Sequence, residues 1–364
     1  MGEKASIKPK VMMHYVKPGS TGGPNVLFKR IENAPQLNEK YEFVHLNQNR
    51  VAGGKINFSL IWELKKEISK IKPDIIHISG MQSSGFHCMV AAVLAGCRNR
   101  LVTTHGFSGD AINISKIKKN IFNKIIEPLT LVLATHVQCI SKFTIEKKMV
   151  KKYAKNKSCY IYNYPPSKDE LSTDKNIRKK LGIGSEEVVF TSVSRIVLDK
   201  GYKELAEAIK SLKDLKNIRF LIVGDGDYEG KFANKVSQEI RDGKVIMLGK
   251  TDDVLDILNE SDVFVLPTLH ENLGNVFLEA STVGIPSIGT NVGGVPEIVS
   301  NGVTGLLIPP YNSNALTNSI RELYSKPEVR KEMGLKAKER LLNNFNATEI
   351  SNKFSELYSL MLNN

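Results

Sequence analysis

Residues 263–280 read Val-Phe-Val-Leu-Pro-Thr-Leu-His-Glu-Asn-Leu-Gly-Asn-Val-Phe-Leu-Glu-Ala. The run 263–267 is short and apolar, the pattern of a strand buried on both faces of a parallel sheet. Residues 268–272 form a polar loop. From Gly274 onward Val276, Phe277 and Ala280 recur at helical spacing, so a helix begins there. In open α/β sheets, ligands bind beyond the carboxyl ends of strands, and helix N-termini attract phosphate. Two carboxylates flank this start: Glu271 on the loop, and Glu279 eight residues later inside the helix. Taken alone, Glu271 would cap the helix and Glu279 would lie on its solvated face.

The neighbouring residues change that assignment. The Glu-(seven residues)-Glu pattern precedes Gly284-Ile285-Pro286 and Gly293-Gly294-Val295-Pro296-Glu297. Together these motifs resemble the donor site of retaining glycosyltransferases of family 4, which have the GT-B fold. The resemblance implies an α/β protein of two Rossmann-like domains facing across a cleft, with the last helix crossing back to the first domain. The domains expected are 1–166 plus about 345–364 for the acceptor, and 167–344 for a nucleotide-sugar donor. Pro165-Pro166 and the charged stretch 167–180 mark the linker. The resemblance is strong over 194–309 and weak over 1–170.

Residues 188–193 form a strand, followed by Arg195 and Lys200-Gly201. Either cation alone is an ordinary surface charge, but five residues apart on one loop they can converge on two phosphates. They resemble the family's diphosphate clamp, Gly-Arg-(four residues)-Lys-Gly, with Ser194 in place of the glycine. The same resemblance assigns the loop and helix start Asn272, Leu273, Gly274, Asn275 and Val276 to the donor. It gives Glu271 the sugar hydroxyls and Glu279 the ribose hydroxyls. Lys250, after the strand 245–249, is nominated for the nucleotide base. Gly22-Gly23, after the first strand, matches a glycine pair at the family's cleft. His105, at the carboxyl end of the strand 101–104, matches the acceptor-domain site as a second catalytic group. His77 reads as a core histidine, and Ser141 as an N-cap. Asp225 and Asp227 could hold a cation, but a strand-to-helix turn is the preferred reading.

The 364 residues carry a net charge of +13. Residues 1–170 hold 27 Lys and Arg against 12 Asp and Glu, a net +15, and the remainder is −2. A basic half suits nucleic acid, an anionic membrane surface or an anionic substrate. No zinc spacing or RNA-binding consensus is present, so nucleic acid is not expected. Much of the charge lies at Lys116, Lys118, Lys119 and Lys124, and at Lys147, Lys148, Lys151, Lys152, Lys155 and Lys157. Ile114, Ile117, Ile121, Ile125 and Leu129 recur at helical spacing among the first group. That apolar stripe is expected to face the core, with the lysines solvated. The four cysteines lack CxxC spacing and fit free thiols in a reducing cytoplasm. No apolar run approaches the roughly 18 residues of a membrane span.

The resemblance thus implies a retaining transferase. It would move a hexose or N-acetylhexosamine from a nucleotide diphosphate sugar, by default a UDP-sugar, to a hydroxyl of a lipid-linked or polysaccharide acceptor. No cofactor or metal is expected, and the location implied is cytoplasmic, with the inner face of the membrane as a candidate docking surface. The alternatives are a non-catalytic sugar-nucleotide-binding subunit and a GT-B epimerase.

Overall fold

The computed structural model describes residues 7–18, 23–52, 55–110, 115–172 and 176–363. Contacts divide the chain into two units, Met1–Tyr164 with Ala347–Asn364, and Pro165–Asn346.

The first unit is built on β1 (Lys10–Val16), β2 (Glu42–Gln48), β3 (Ile75–Ser79), β4 (Asn99–Thr104), β5 (His136–Cys139) and β6 (Ser158–Tyr160). They pair in parallel in the order β2-β1-β3-β4-β5-β6. Alternation along β1 feeds both faces. Met12 packs with Ile76, Val102 and Val137 and with helices including Phe58–Ile71 and Ser83–Leu94 on one side. Val11, Met13 and Tyr15 pack with the helix Gly23–Glu32 and with the last helix, Ala347–Asn363, on the other. That last helix is held by Phe354, Tyr358 and Met361, all fully buried. Polar contacts fix its rotation: Tyr164 hydroxyl to Ser351 at 3.0 Å, and Tyr41 hydroxyl to the Ser355 carbonyl at 3.1 Å.

His77 is a satisfied core histidine, as its apolar strand suggested. Its Nδ1 meets the Tyr358 hydroxyl at 2.9 Å and its Nε2 the Thr103 hydroxyl at 2.6 Å. Ser141 caps the helix Lys142–Ile145 in a reciprocal capping box with Thr144. Burial lowers the pKa of His14 to about 4 and of His77 to about 3, from an ordinary 6.5. Above pH 6.5 both are neutral in the folded and unfolded chain alike. Below it the unfolded chain takes up protons that the fold excludes, so stability falls as pH drops from 6.5 towards 4. The lone tryptophan, Trp62, lies in this unit and reports its unfolding. A urea midpoint by Trp62 fluorescence is expected to fall steadily over that window. A midpoint constant from pH 7 to pH 4.5 would refute the assignment.

The second unit is built on β7 (Val188–Val193), β8 (Ile218–Val223), β9 (Val245–Gly249), β10 (Val263–Leu266), β11 (Ser287–Thr290) and β12 (Gly305–Ile308). Its parallel order is β12-β11-β10-β7-β8-β9. Every residue of β10 is buried, as its unbroken apolar run requires in a central strand. The helix after it spans Asn275–Val283, capped in left-handed conformation by Gly274 at one end and Gly284 at the other. The C-terminal segment forms three helices, Ser313–Ser325, Pro327–Asn344 and Ala347–Asn363.

One expectation fails. The apolar stripe among the first lysines faces solvent, with Ile117, Ile121, Ile125 and Leu129 exposed by 43–76%. The core is supplied instead by Phe122, Thr130 and Leu131. Periodicity identified the stripe, but both faces of the segment carry apolar residues, and the inner one won the core. Ile114 lies outside the described residues.

Among the described residues, no helix is long and apolar enough to cross a membrane.

Candidate active site

In each sheet the chain reverses its direction of strand addition once, and the crevice at that reversal is where open α/β sheets bind ligands. In the second unit it lies between β7 and β10, with the loop 194–201 beyond one strand and the loop 267–274 beyond the other. These two loops carry Arg195, Lys200, Glu271, Asn272, Leu273 and Gly274.

Backbone contacts bind the loops together. The Leu269 amide donates to the Asp199 carbonyl at 2.8 Å, and the Thr268 hydroxyl donates to the same oxygen at 3.3 Å. Gly201, at φ +74°, lies so close to Pro267 that a Cβ would stand 1.9 Å from the Pro267 carbonyl oxygen. Lys200 and Glu271 then form a hydrogen-bonded ion pair, both side chains only about 15% exposed. Arg195 is exposed and has no side-chain hydrogen bond or ion pair among the described residues.

Two flanking turns set this geometry. Gly293 and Gly294 form the seat of the Glu271 loop: the Gly294 amide donates to the Glu271 carbonyl at 3.1 Å. A Cβ on Gly293 would lie 1.7 Å from that carbonyl, and one on Gly294 would lie 2.4 Å from the Asn272 carbonyl. Gly224 and Gly226 do the same for the Arg195 loop, approaching the carbonyls of Ser194 and Ile196. The Ile196 amide donates to the Asp225 carbonyl at 2.6 Å. The Gly-Asp-Gly that follows β8 is therefore the turn that supports the Arg195 loop. Ser194, where the resembled pattern has glycine, donates its hydroxyl to the Arg195 carbonyl at 3.0 Å and lies 3.0 Å from the Tyr202 hydroxyl.

Asn272 and Leu273 are buried, and Asn275, Val276 and Glu279 are partly exposed on the first turns of the helix. Lys250 is exposed directly after β9, which β8 separates from β7. It is the one donor-side residue set apart from the reversal.

In the first unit the reversal lies between β1 and β3. A cavity of about 680 Å³ opens there, lined by Val16 at the end of β1 and Asn25 beyond it, by Ser79 at the end of β3 and residues 80–85 beyond it, and by His105, Gly106 and Ser108 after β4. His105 Nε2 lies 3.2 Å from the Ser79 hydroxyl, and burial lowers its pKa to about 4, so it is neutral near pH 7. Its loop is held from below by Glu127, whose carboxylate accepts from the Ser108 amide at 2.7 Å. Gly23 is exposed at the start of the helix leading into Asn25, and Gly22 lies outside the described residues. Ser79 and the turn 80–85 escaped sequence reasoning. Their one signal was Gly80 and Gly85, where a Cβ on Gly85 would lie 1.8 Å from the Gly80 carbonyl.

Two parallel six-stranded sheets, each with a site at its reversal, define the GT-B class. The sequence profile described as "Glycosyl transferases group 1" matches residues 173–340, and "Glycosyl transferase 4-like" matches 29–136. The chain is 26% identical over 288 residues to the N-acetyl-alpha-D-glucosaminyl L-malate synthase of Bacillus anthracis, covering 78% of this chain and 74% of that one. It is 27% identical over 323 residues to the UDP-Gal:alpha-D-GlcNAc-diphosphoundecaprenol alpha-1,3-galactosyltransferase of Escherichia coli, covering 85% and 82%. The fold is that of Anabaena HepE, solved in complex with UDP and glucose, with a TM-score of 0.78 at 19% identity over 96% of this chain and 99% of that one. Residues 173–340 thus match the group 1 glycosyltransferases and residues 29–136 a glycosyltransferase 4-like domain, and the chain is a glycosyltransferase enzyme.

Proposed function

We propose that the second unit binds a nucleotide diphosphate sugar, by default a UDP-sugar, at the β7/β10 reversal, and that the sugar passes with retention to an acceptor hydroxyl. The observation that carries this is the half-buried Lys200–Glu271 pair, strapped into place beside a helix that starts at a glycine with no side-chain cap. A leaving diphosphate gains negative charge as the glycosidic bond breaks. Lys200, Arg195 and the amides at the Gly274 helix start would offset it. As Lys200 turns to the diphosphate, Glu271 is released to accept hydrogen bonds from the sugar hydroxyls. Glu279 meets the ribose, and Lys250 is a contact for the base. The cavity at His105 receives the acceptor, lipid-linked or polysaccharide, whose hydroxyl a neutral imidazole can orient. The relatives' names support this reading, since one uses UDP-Gal with a diphosphoundecaprenol acceptor.

A screen of hydrolysis across UDP-, GDP- and ADP-sugars tests the donor, and the anomeric configuration of the product tests retention. No turnover of any nucleotide sugar would overturn the reading. Glu279→Gln keeps the shape and loses the charge. A hydrogen bond to a charged group contributes about 1.5–3 kcal/mol, so KM for the donor is expected to rise on the order of tenfold or more with a smaller change in kcat. An unchanged KM would remove Glu279 from the ribose. Because protein cations neutralise the diphosphate, activity is expected to survive EDTA. Complete loss restored by Mg²⁺ or Mn²⁺ would instead make Asp225 and Asp227 candidate ligands.

A further inference from the structure

We infer that Ser84 donates a hydrogen bond to the acceptor in the His105 cavity, and that Gln48 is the positioning residue that turns the Ser84 proton there. The inference rests on the reading of that cavity as the acceptor's site. Along β2 alternate residues face inward, and Leu46 and Gln48 are the last two of them, 2% and 1% exposed. Gln48 thus puts an amide where the strand pattern calls for an apolar side chain. Burying an amide is costly unless its polar atoms are bonded.

The bonds it makes have one possible direction. The Gln48 amide nitrogen lies 2.8 Å from the Arg50 carbonyl oxygen and 2.9 Å from the Ser84 hydroxyl, and the amide oxygen lies 3.0 Å from His14 Nε2. A carbonyl only accepts, so Arg50 fixes which end of the amide faces it. The two hydrogens of the nitrogen then go to Arg50 and to Ser84. The amide oxygen accepts from His14, which is fully buried and neutral near pH 7 and so has one proton to give. That proton sits on Nε2, and Nδ1 is left bare, buried and without a partner.

Ser84 therefore accepts from Gln48, and its own O–H has no acceptor among the described residues. Ser84 is partly exposed and lines the cavity. No acidic side chain among the described residues lines that cavity to compete for the proton. Ser79, at the other end of the same turn, is engaged with His105 at 3.2 Å, whereas the Ser84 proton is unspent. The ligand it fits presents an oxygen lone pair, as the hydroxyl, ring or amide carbonyl oxygen of a sugar does.

Two measurements on the full chain test this. The first is the long-range 1H–15N spectrum of the histidine rings near pH 7, with His14 assigned through its own backbone. His14 is expected to be protonated at Nε2 and bare at Nδ1. The reverse tautomer would overturn the inference, because Gln48 would then donate to His14 and Ser84 would donate to Gln48. The second is saturation-transfer NMR with methyl α-N-acetylglucosaminide as the probe and saturating UDP to occupy the proposed donor site. Ser84→Ala is expected to weaken the Kd about three- to tenfold, the share of one hydrogen bond, and Ser84→Thr to restore it. Gln48→Glu keeps the shape but, when ionised, can only accept, so it draws the Ser84 proton away from the cavity. Its Kd is expected to weaken as in Ser84→Ala, and adding Ser84→Ala to it is expected to weaken the Kd no further. Fully additive losses, or a Kd unchanged in Ser84→Ala, would overturn the inference and leave the cavity reading in place. No binding of the probe to the parent chain would overturn both. The tautomer and the two Ser84 variants decide the matter even if Gln48→Glu fails to fold. Turnover of a nucleotide sugar without any acceptor reads the donor assignment separately.

Discussion

Lys200→Ala is expected to reduce turnover with the preferred donor on the order of 10²–10³, the loss seen when one preorganised charge-stabilising group is removed from a transition state. The same substitution strands Glu271, whose side chain is 16% exposed, without its cation. Removing one partner of a buried pair destabilises a protein far more than removing both. Two effects are therefore superimposed in the single variant, and a second variant separates them. Lys200→Met with Glu271→Gln removes both charges, so its urea midpoint is expected to recover towards the parent while its turnover stays low. If Lys200→Ala keeps full turnover, Lys200 does not meet the diphosphate. If the double variant recovers turnover along with stability, the pair is a structural clasp and the chemistry lies elsewhere. Arg195→Ala is the cleaner probe of charge alone, because Arg195 has no side-chain partner among the described residues and its loss strands nothing.

Gly293→Ala is expected to be the most damaging substitution of a single small residue at the site. Gly293 has φ +57°, a conformation that costs a residue with a Cβ about 1–3 kcal/mol. Its Cβ would also overlap the Glu271 carbonyl oxygen, 1.7 Å away, and the carbonyl carbon, 2.8 Å away. Both obstacles are backbone, so relief requires the Glu271 loop to move. A displacement of about 1 Å at a reacting centre can lower the rate on the order of 10²-fold. Gly302→Ala is the matched control. Gly302 has φ +73° in the same unit, but a Cβ there meets nothing within 4 Å. The control is expected to lose only the conformational part of the stability and to keep its turnover. Equal loss of turnover in both variants would show that the backbone angle, not the seat of Glu271, is what matters.

These two predictions rest on different kinds of information. The strand Val263–Leu266, the helix from Asn275 and the core role of His77 were legible in the chain itself. Each depends on local pattern: an unbroken apolar run, a helical repeat, a histidine inside an apolar strand. The candidate residues Arg195, Lys200, Glu271 and Glu279 were likewise legible, because their spacing within two short segments resembles a known donor site.

What those residues do to one another was not legible. Lys200 and Glu271 are 71 positions apart, and no local rule pairs them. They meet because β7 and β10 are neighbours in the sheet although two strands intervene in sequence. Gly293 read as part of a donor-site motif, but its place under the Glu271 carbonyl came only with the fold. The lysine-rich helix shows the same limit from the other direction. Helical periodicity determined that Ile117, Ile121 and Ile125 share a face, but a repeat carries no information about what lies opposite. Tertiary packing made that choice, filling the core with Phe122 and Leu131 and leaving the isoleucines to solvent. Sequence alone determined which residues stand together along each element. Only the tertiary structure decided which faces meet, because burial is a property of the whole packed chain.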